Sequence, residues 1–306
     1  MSNMQGKTAL LFPGQGAQDL QMLDEVKLMA QFPQRYALVC ELLGSHPQQE
    51  IEQGNRTYLN QNLVSSMLTL LVSSLLLDRY LDSEHRLPAF LAGYSVGQWL
   101  ALYAANVVTF ETMLTIVQRR AELMDRCFTK TPGAMLAVIG LPEPQLQALC
   151  QELTEAGKYL AISNYNCVGQ FSLAGTTAAV ALAHEHIQQY KPKKVIHLPV
   201  SGAWHCTLLN DAATAFGAYL QDVSLRQLKL PVIDNITGNF LPSTEVELKV
   251  QLASHLRVPV RWEKGIKTLI AQGCTEFVEI GYGNTLTKFG FFIDRTVQHR
   301  SFATTA

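Results

Sequence analysis

The sequence lacks charge of either sign in excess: 24 Lys and Arg stand against 25 Asp and Glu over 306 residues, a formal net charge of −1. Without a broad basic field, neither nucleic acid nor an anionic membrane surface is expected as a partner, and any partner must be met through a local patch. Cysteine pairing is missing as well. Cys40, Cys127, Cys150, Cys167, Cys206 and Cys274 are scattered, with no Cys-x-x-Cys and no zinc-site or disulfide-framework spacing. Reduced thiols in a cytoplasmic protein are the expectation. The most apolar run, Leu63 to Leu77, is broken by Ser65, Ser66, Thr69, Ser73 and Ser74 and falls short of the roughly 20 residues that cross a bilayer, so it reads as a buried helix. From Met1 the chain passes through polar residues straight into Thr8-Ala-Leu-Leu-Phe12 with no charged-then-apolar leader, so secretion is not expected. Internal repeats, low-complexity tracts and long linkers are absent too.

What is present is core-forming material: 48% of the residues are hydrophobic and 16% charged, the profile of a globular chain with one large domain, or one domain carrying an insertion. Thr8 to Phe12 reads as a buried strand that stops at Pro13-Gly14-Gln15-Gly16. A long apolar helix is expected over 62–80. A second buried strand, Pro88 to Ala92, meets Gly93-Tyr94-Ser95-Val96-Gly97, and helical spacing follows over 98–105 and 110–124. Between Gly133 and Ser201 the order changes to strand (134–139), helix (143–156), strand (159–164), strand (170–174), helix (178–190), strand (194–200). That βαββαβ order is the ferredoxin-like split unit. Strand–helix alternation resumes with strands expected over 231–236 and 276–280. The fold class is therefore α/β, with a small domain (131–200) inserted into a larger one (1–130 and 201–306) and a ligand cleft expected between them.

Gly93-Tyr94-Ser95-Val96-Gly97 is a Gly-x-Ser-x-Gly between an expected strand and an expected helix, the setting in which such a turn exposes a serine nucleophile. Glycine is needed on both sides because the turn is too tight for side chains. The bland alternative for Ser95 is a helix cap. A serine needs a base, and among eight histidines His205 stands out, at the end of Ser201-Gly-Ala-Trp204 after a strand, where a side chain can point into a cleft; an ordinary satisfied histidine is the alternative. His184 and His186 lie two apart on one expected helix, project from different faces and make a poor metal pair. Cys206 has no glycine turn to present it and reads as packing. The N–H of Val96 and the backbone of Gln15 are candidate donors to a tetrahedral oxyanion. Arg119 and Arg120 fall on the helix after the turn, where a guanidinium facing the cleft would grip a carboxylate and one facing water would do nothing.

Together these segments resemble the malonyl-CoA:acyl carrier protein transacylase family over nearly the whole chain. The markers are Phe12-Pro-Gly-Gln-Gly-Ala-Gln18, Gly93-Tyr-Ser-Val-Gly97, Arg120 with Met124, Asn164-Tyr-Asn-Cys-Val-Gly-Gln170, Pro199-Val-Ser-Gly-Ala-Trp-His-Cys206, Pro259-Val-Arg-Trp262 and Glu279-Ile-Gly-Tyr-Gly283. The resemblance implies an α/β-hydrolase-like large domain with an inserted ferredoxin-like small domain. It implies Ser95 as nucleophile, His205 as general base and acid, and Gln15 and Val96 as oxyanion donors. Arg120 would pair with the free carboxylate of a malonyl or related dicarboxylic acyl group, and a backbone carbonyl near His255 would orient His205. Tyr94 and Trp204 would wall the acyl pocket; Tyr94 and Gln98 stand where histidine and glutamate are usual, and Trp204 where phenylalanine or serine is.

The implied reaction is ping-pong acyl transfer from coenzyme A to the phosphopantetheine thiol of a holo acyl carrier protein, with no bound cofactor and no metal. An acyl hydrolase of the same fold is the alternative. A monomer is expected, and Lys191-Pro-Lys-Lys194 with Arg119, Arg126 and Lys130 is a candidate docking patch for an acidic carrier.

Overall fold

The computed structural model describes residues 6–84, 87–129 and 131–302. The chain opens with β1 (Lys7–Phe12), whose last five residues are all buried, as a strand covered on both faces of a parallel sheet must be. The helix Asn62–Ser83 follows. It runs past the 62–80 expected, and by length and composition it is long enough to cross a membrane, but most of it is buried inside the protein. β2 (Phe90–Gly93) then pairs parallel to β1 with Phe12 opposite Gly93, so both strands end at one level.

The chain next leaves for a second sheet built from β3 (Gly133–Ile139), β4 (Leu160–Cys167), β5 (Gln170–Thr176) and β6 (Lys194–His197). Its order is β4-β5-β3-β6, all antiparallel. Helices Glu143–Glu155 and Thr177–His186 complete the βαββαβ order and bury Leu146, Leu149, Val180 and Ala183 in a core of their own with Leu136, Val138 and Leu173. β6 is shorter than expected because Pro199 has no N–H to continue a ladder.

Back in the first sheet, β7 (Val232–Ile233), β8 (Cys274–Glu279) and β9 (Gln298–Ser301) complete the order β7-β2-β1-β8-β9, parallel throughout. β7 has two residues where six were expected. Asp234 ends it: its carboxylate accepts from the amides of Ile236 and Thr237, and its carbonyl from Gly238, which curls the chain into a turn. Helices Asn210–Gln221, Glu245–Ser254, Trp262–Ala271 and Thr285–Ile293 cover this second half. The two sheets are stitched together where Val260 donates to the Ser163 carbonyl and accepts from the Tyr165 amide. This seam brings β4 beside the carboxyl ends of β1 and β2, the edge at which open α/β sheets bind ligands.

Candidate active site

At the carboxyl end of β2 the backbone turns so sharply that Ser95 sits at φ 53°, a left-handed conformation that costs a non-glycine residue about 1–3 kcal/mol. The flanking glycines are obligatory for steric reasons. A Cβ at Gly93 would strike the Gly97 backbone, and one at Gly97 would strike the Phe12 carbonyl. The turn is braced by Asn235, which the sequence reading missed. Its Oδ1 accepts from the Ser95 amide at 2.8 Å, and its Nδ2 donates to the Gly93 carbonyl and to Gln98 Oε1, each at 2.6 Å. Asn235 lies 140 residues from Ser95 in a turn after β7, and only the Asp-Asn-Ile-Thr-Gly composition hinted that the segment leaves the sheet.

His205 is also at positive φ, 58°, and is 2% exposed. Its Nε2 lies 2.7 Å from Ser95 Oγ and its Nδ1 2.9 Å from the carbonyl oxygen of His255. A carbonyl only accepts, so Nδ1 carries the proton and Nε2 is the acceptor for the serine hydroxyl. Burial first and the Arg120 charge second lower the His205 pKa to about 3, with the His255 carbonyl working against both. The imidazole is therefore neutral at pH 7 and able to take a proton.

Gln15 folds its side chain away from this pair: Nε2 donates to the carbonyl and Oδ1 of Asn62 at 2.9 Å each and to Ser65 Oγ at 2.7 Å. That anchors the turn after β1 on the start of the helix Asn62–Ser83. Among the described residues neither the Gln15 nor the Val96 amide has an acceptor within the protein. Gln15, Tyr94, Ser95 and His205 line one side of a narrow cleft of about 70 Å³, and Met135, Asn164 and Ser172 of the small sheet line the other, with Trp204 at its wall. Tyr94 donates through its hydroxyl to Asn166 Oδ1 at 2.7 Å and packs edge-on against Trp262. Trp204 packs against Phe128, and its Nε1 has no partner.

Arg120 and Arg119 part company. The helix Phe110–Cys127 buries Met113, Ile116, Val117, Arg120 and Met124 on one stripe, so Arg120 is fully buried while Arg119 pairs with Glu122 near the surface. That stripe was readable from the spacing. Among the described residues none of the three Arg120 guanidinium nitrogens has a hydrogen-bond partner. Burial lowers its pKa to about 10, with the nearby Asp125 opposing the shift, so it remains a cation at neutral pH. His255 is buried, and both its ring nitrogens are unpartnered. Cys206 is buried with its thiol directed to the Ala203 carbonyl, and burial raises its pKa to about 11, which leaves it unreactive. His184 meets His197 at 3.0 Å and His186 faces Glu152 at 3.9 Å. Among the described residues no group of three or more His, Cys, Asp or Glu is arranged to hold a metal.

No family model matches the chain. Individual proteins do. The malonyl CoA-acyl carrier protein transacylase of Bacillus subtilis is 33% identical over 284 residues, 92% of this chain and 88% of its own. The chain belongs to the malonyl-CoA:acyl carrier protein transacylase family. The transacylase of Xanthomonas oryzae superposes with a TM-score of 0.91 at 28% identity, covering 98% of this chain and 95% of that one. A malonyl-transacylase solved in complex with its type II polyketide acyl carrier protein gives a TM-score of 0.89 at 28% identity, over 96% and 94% of the two chains. The polyketide biosynthesis protein ThaF of Burkholderia thailandensis is 33% identical over 279 residues, which is 91% of this transacylase-family chain but 23% of ThaF.

Proposed function

We propose that the chain transfers a malonyl group from coenzyme A to the phosphopantetheine thiol of an acyl carrier protein, through an acyl–Ser95 intermediate. The observation that carries this is Arg120: a fully buried cation with three unpartnered nitrogens beside the Ser95–His205 pair. A buried charge without a partner is costly, and a carboxylate entering with the acyl group would offset that cost with charge-assisted, bidentate hydrogen bonds.

In the first half-reaction His205 Nε2 takes the Ser95 proton as Oγ attacks the thioester carbonyl. The oxyanion is received by the amides of Gln15 and Val96. As the C–S bond breaks, the imidazolium returns the proton to the departing coenzyme A sulfur, and the His255 carbonyl holds the ring in place throughout. The carrier thiol then attacks the acyl ester, His205 takes its proton, and Ser95 leaves with that proton restored. Ester and thioester exchange without any change of oxidation state, so the coenzyme A thioester is a substrate and no bound cofactor enters the scheme.

We read the parallel sheet as an α/β-hydrolase-like domain (1–130 and 201–306) and the small sheet as an inserted ferredoxin-like domain (131–200), a reading that the β6-β3-β5-β4 order supports. The protein acts as a cytoplasmic monomer in this proposal. Its carrier docks near Lys191, Lys193 and Lys194, all exposed, with Arg119 and Arg126; Lys130 lies outside the described residues.

The test is intact-protein mass spectrometry after mixing with malonyl-, methylmalonyl- or acetyl-CoA, then with holo carrier protein or buffer. A malonyl adduct that is absent in Ser95→Ala and discharges onto the carrier faster than into water is the expected result. Equal loss to water would favour the hydrolase, and no adduct from any donor would overturn the malonyl reading.

A further inference from the structure

The Ser95–His205 centre leaves a second buried group open besides Arg120. His255 follows the helix Glu245–Ser254, is 2% exposed, and lends its carbonyl to His205 Nδ1 at 2.9 Å. Its ring lies 4.9 Å from the His205 ring, tilted by 33°, yet neither Nδ1 nor Nε2 meets any hydrogen-bond partner. Supporting His205 requires only the main chain, so the mechanism does not explain a ring whose polar atoms are buried unsatisfied, a burden proteins seldom carry without a reason.

The surroundings define what is missing. Burial, then His205, then Arg120 all disfavour a proton on the His255 ring, and no acidic side chain contributes in the opposite sense. The ring therefore offers one N–H and one lone pair, and the formal charge acting on it is that of Arg120, whose guanidinium nitrogens have no hydrogen-bond partner among the described residues. A negatively charged acceptor would take the imidazole N–H and pair with the guanidinium at once. Resting on the malonyl reading, we propose that the His255 imidazole is a second donor to the free carboxylate of the acyl group, beside Arg120, and that it helps select carboxylated over neutral acyl chains. A carboxylate has about four lone-pair sites, enough for the guanidinium fork and one imidazole N–H together.

The experiment compares Ser95 acylation by malonyl-CoA and acetyl-CoA in the wild type, His255→Leu and His255→Gln. Leucine removes the donor and leaves the carbonyl that holds His205. His255→Leu is expected to lower the malonyl-to-acetyl ratio of kcat/KM by about 10- to 100-fold, and glutamine, which keeps an N–H, recovers most of that ratio. A proportional fall for both donors, or an unchanged ratio, overturns the proposal. Should the leucine variant fail to fold, the imidazole 15N and N–H resonances of His255 in Ser95→Ala decide it. A new hydrogen-bonded N–H signal with malonyl-CoA but not acetyl-CoA supports the role; identical spectra overturn it. A wild type that forms no malonyl adduct overturns the malonyl reading and this proposal together, whereas a malonyl-selective wild type with an indifferent His255→Leu overturns only this one.

Discussion

The two halves of the catalytic centre are built on opposite principles. On the elbow side the strained Ser95 backbone is held by Asn235, His205 is held by Ser95 and the His255 carbonyl, and the Gln15 side chain is tied to Asn62 and Ser65. Around the same centre Arg120, the His255 ring and the Trp204 indole carry six buried nitrogens without a partner among the described residues. The satisfied half keeps reacting atoms at a fixed distance before substrate arrives, as preorganised catalysis requires. The unsatisfied half has its polar groups desolvated in advance, so that a ligand supplying the missing acceptors gains what the fold gave up.

The largest break in this comparison should come from Arg120→Met. Loss of the guanidinium is expected to lower kcat/KM for malonyl-CoA by about 10²- to 10³-fold, measured by stopped-flow transfer to carrier protein. The same substitution is expected to leave the thermal midpoint unchanged or raised, because an apolar side chain replaces a buried charge that has only the nearby Asp125 to oppose it and no hydrogen-bond partner among the described residues. A variant that loses activity and stability in step would show that Arg120 has a structural partner after all.

Asn235→Ala tests the satisfied half with the opposite signature. It strips acceptors and donors from Ser95, Gly93 and Gln98 at once, so stability should fall by about 2–4 kcal/mol in urea unfolding, and kcat should fall for malonyl- and acetyl-CoA alike. A change confined to malonyl-CoA would place Asn235 on the wrong side of the divide.

A smaller effect is expected from pH. The folded pKa of His205 is lowered to about 3 from the ordinary 6.5, so in between the unfolded chain binds a proton that the folded one refuses. His205 therefore contributes full stability above about pH 6.5 and loses it progressively as pH falls toward about 3. Urea midpoints measured from pH 7 to pH 4 should decline, and the decline should be shallower in His205→Asn. An unchanged slope would mean that the imidazole is not buried neutral.

Legibility in the sequence followed the range of the forces involved. The Gly-x-Ser-x-Gly turn, the strands on either side of it and the βαββαβ order depend on nearest neighbours and on periodicity, and they appear in the expected order, although β4 ends three residues later, the helix Thr177–His186 four residues earlier and β6 three residues earlier than expected. Strand lengths were less legible where a side chain captured the backbone, as Asp234 does after Ile233, or where Pro199 removed a donor. Arg120 was half legible: the reading put it on the helix after the turn with its facing left open, and only the structure shows it buried beside Met113, Ile116, Val117 and Met124.

By itself, then, the sequence determined the local geometry of the nucleophile and the alternation of elements, since each follows from turn sterics or a short-range period, and it left open whether Arg120 faced the cleft or water. Only the tertiary structure decided that Asn235 reaches across 140 residues to the Ser95 amide, and that His205 meets Ser95 across 110. It alone decided that the His255 ring lies buried beside them with nothing to bind. Hydrogen bonds and desolvation depend on distances between atoms, and chain separation says nothing about those until the two sheets have been stitched together.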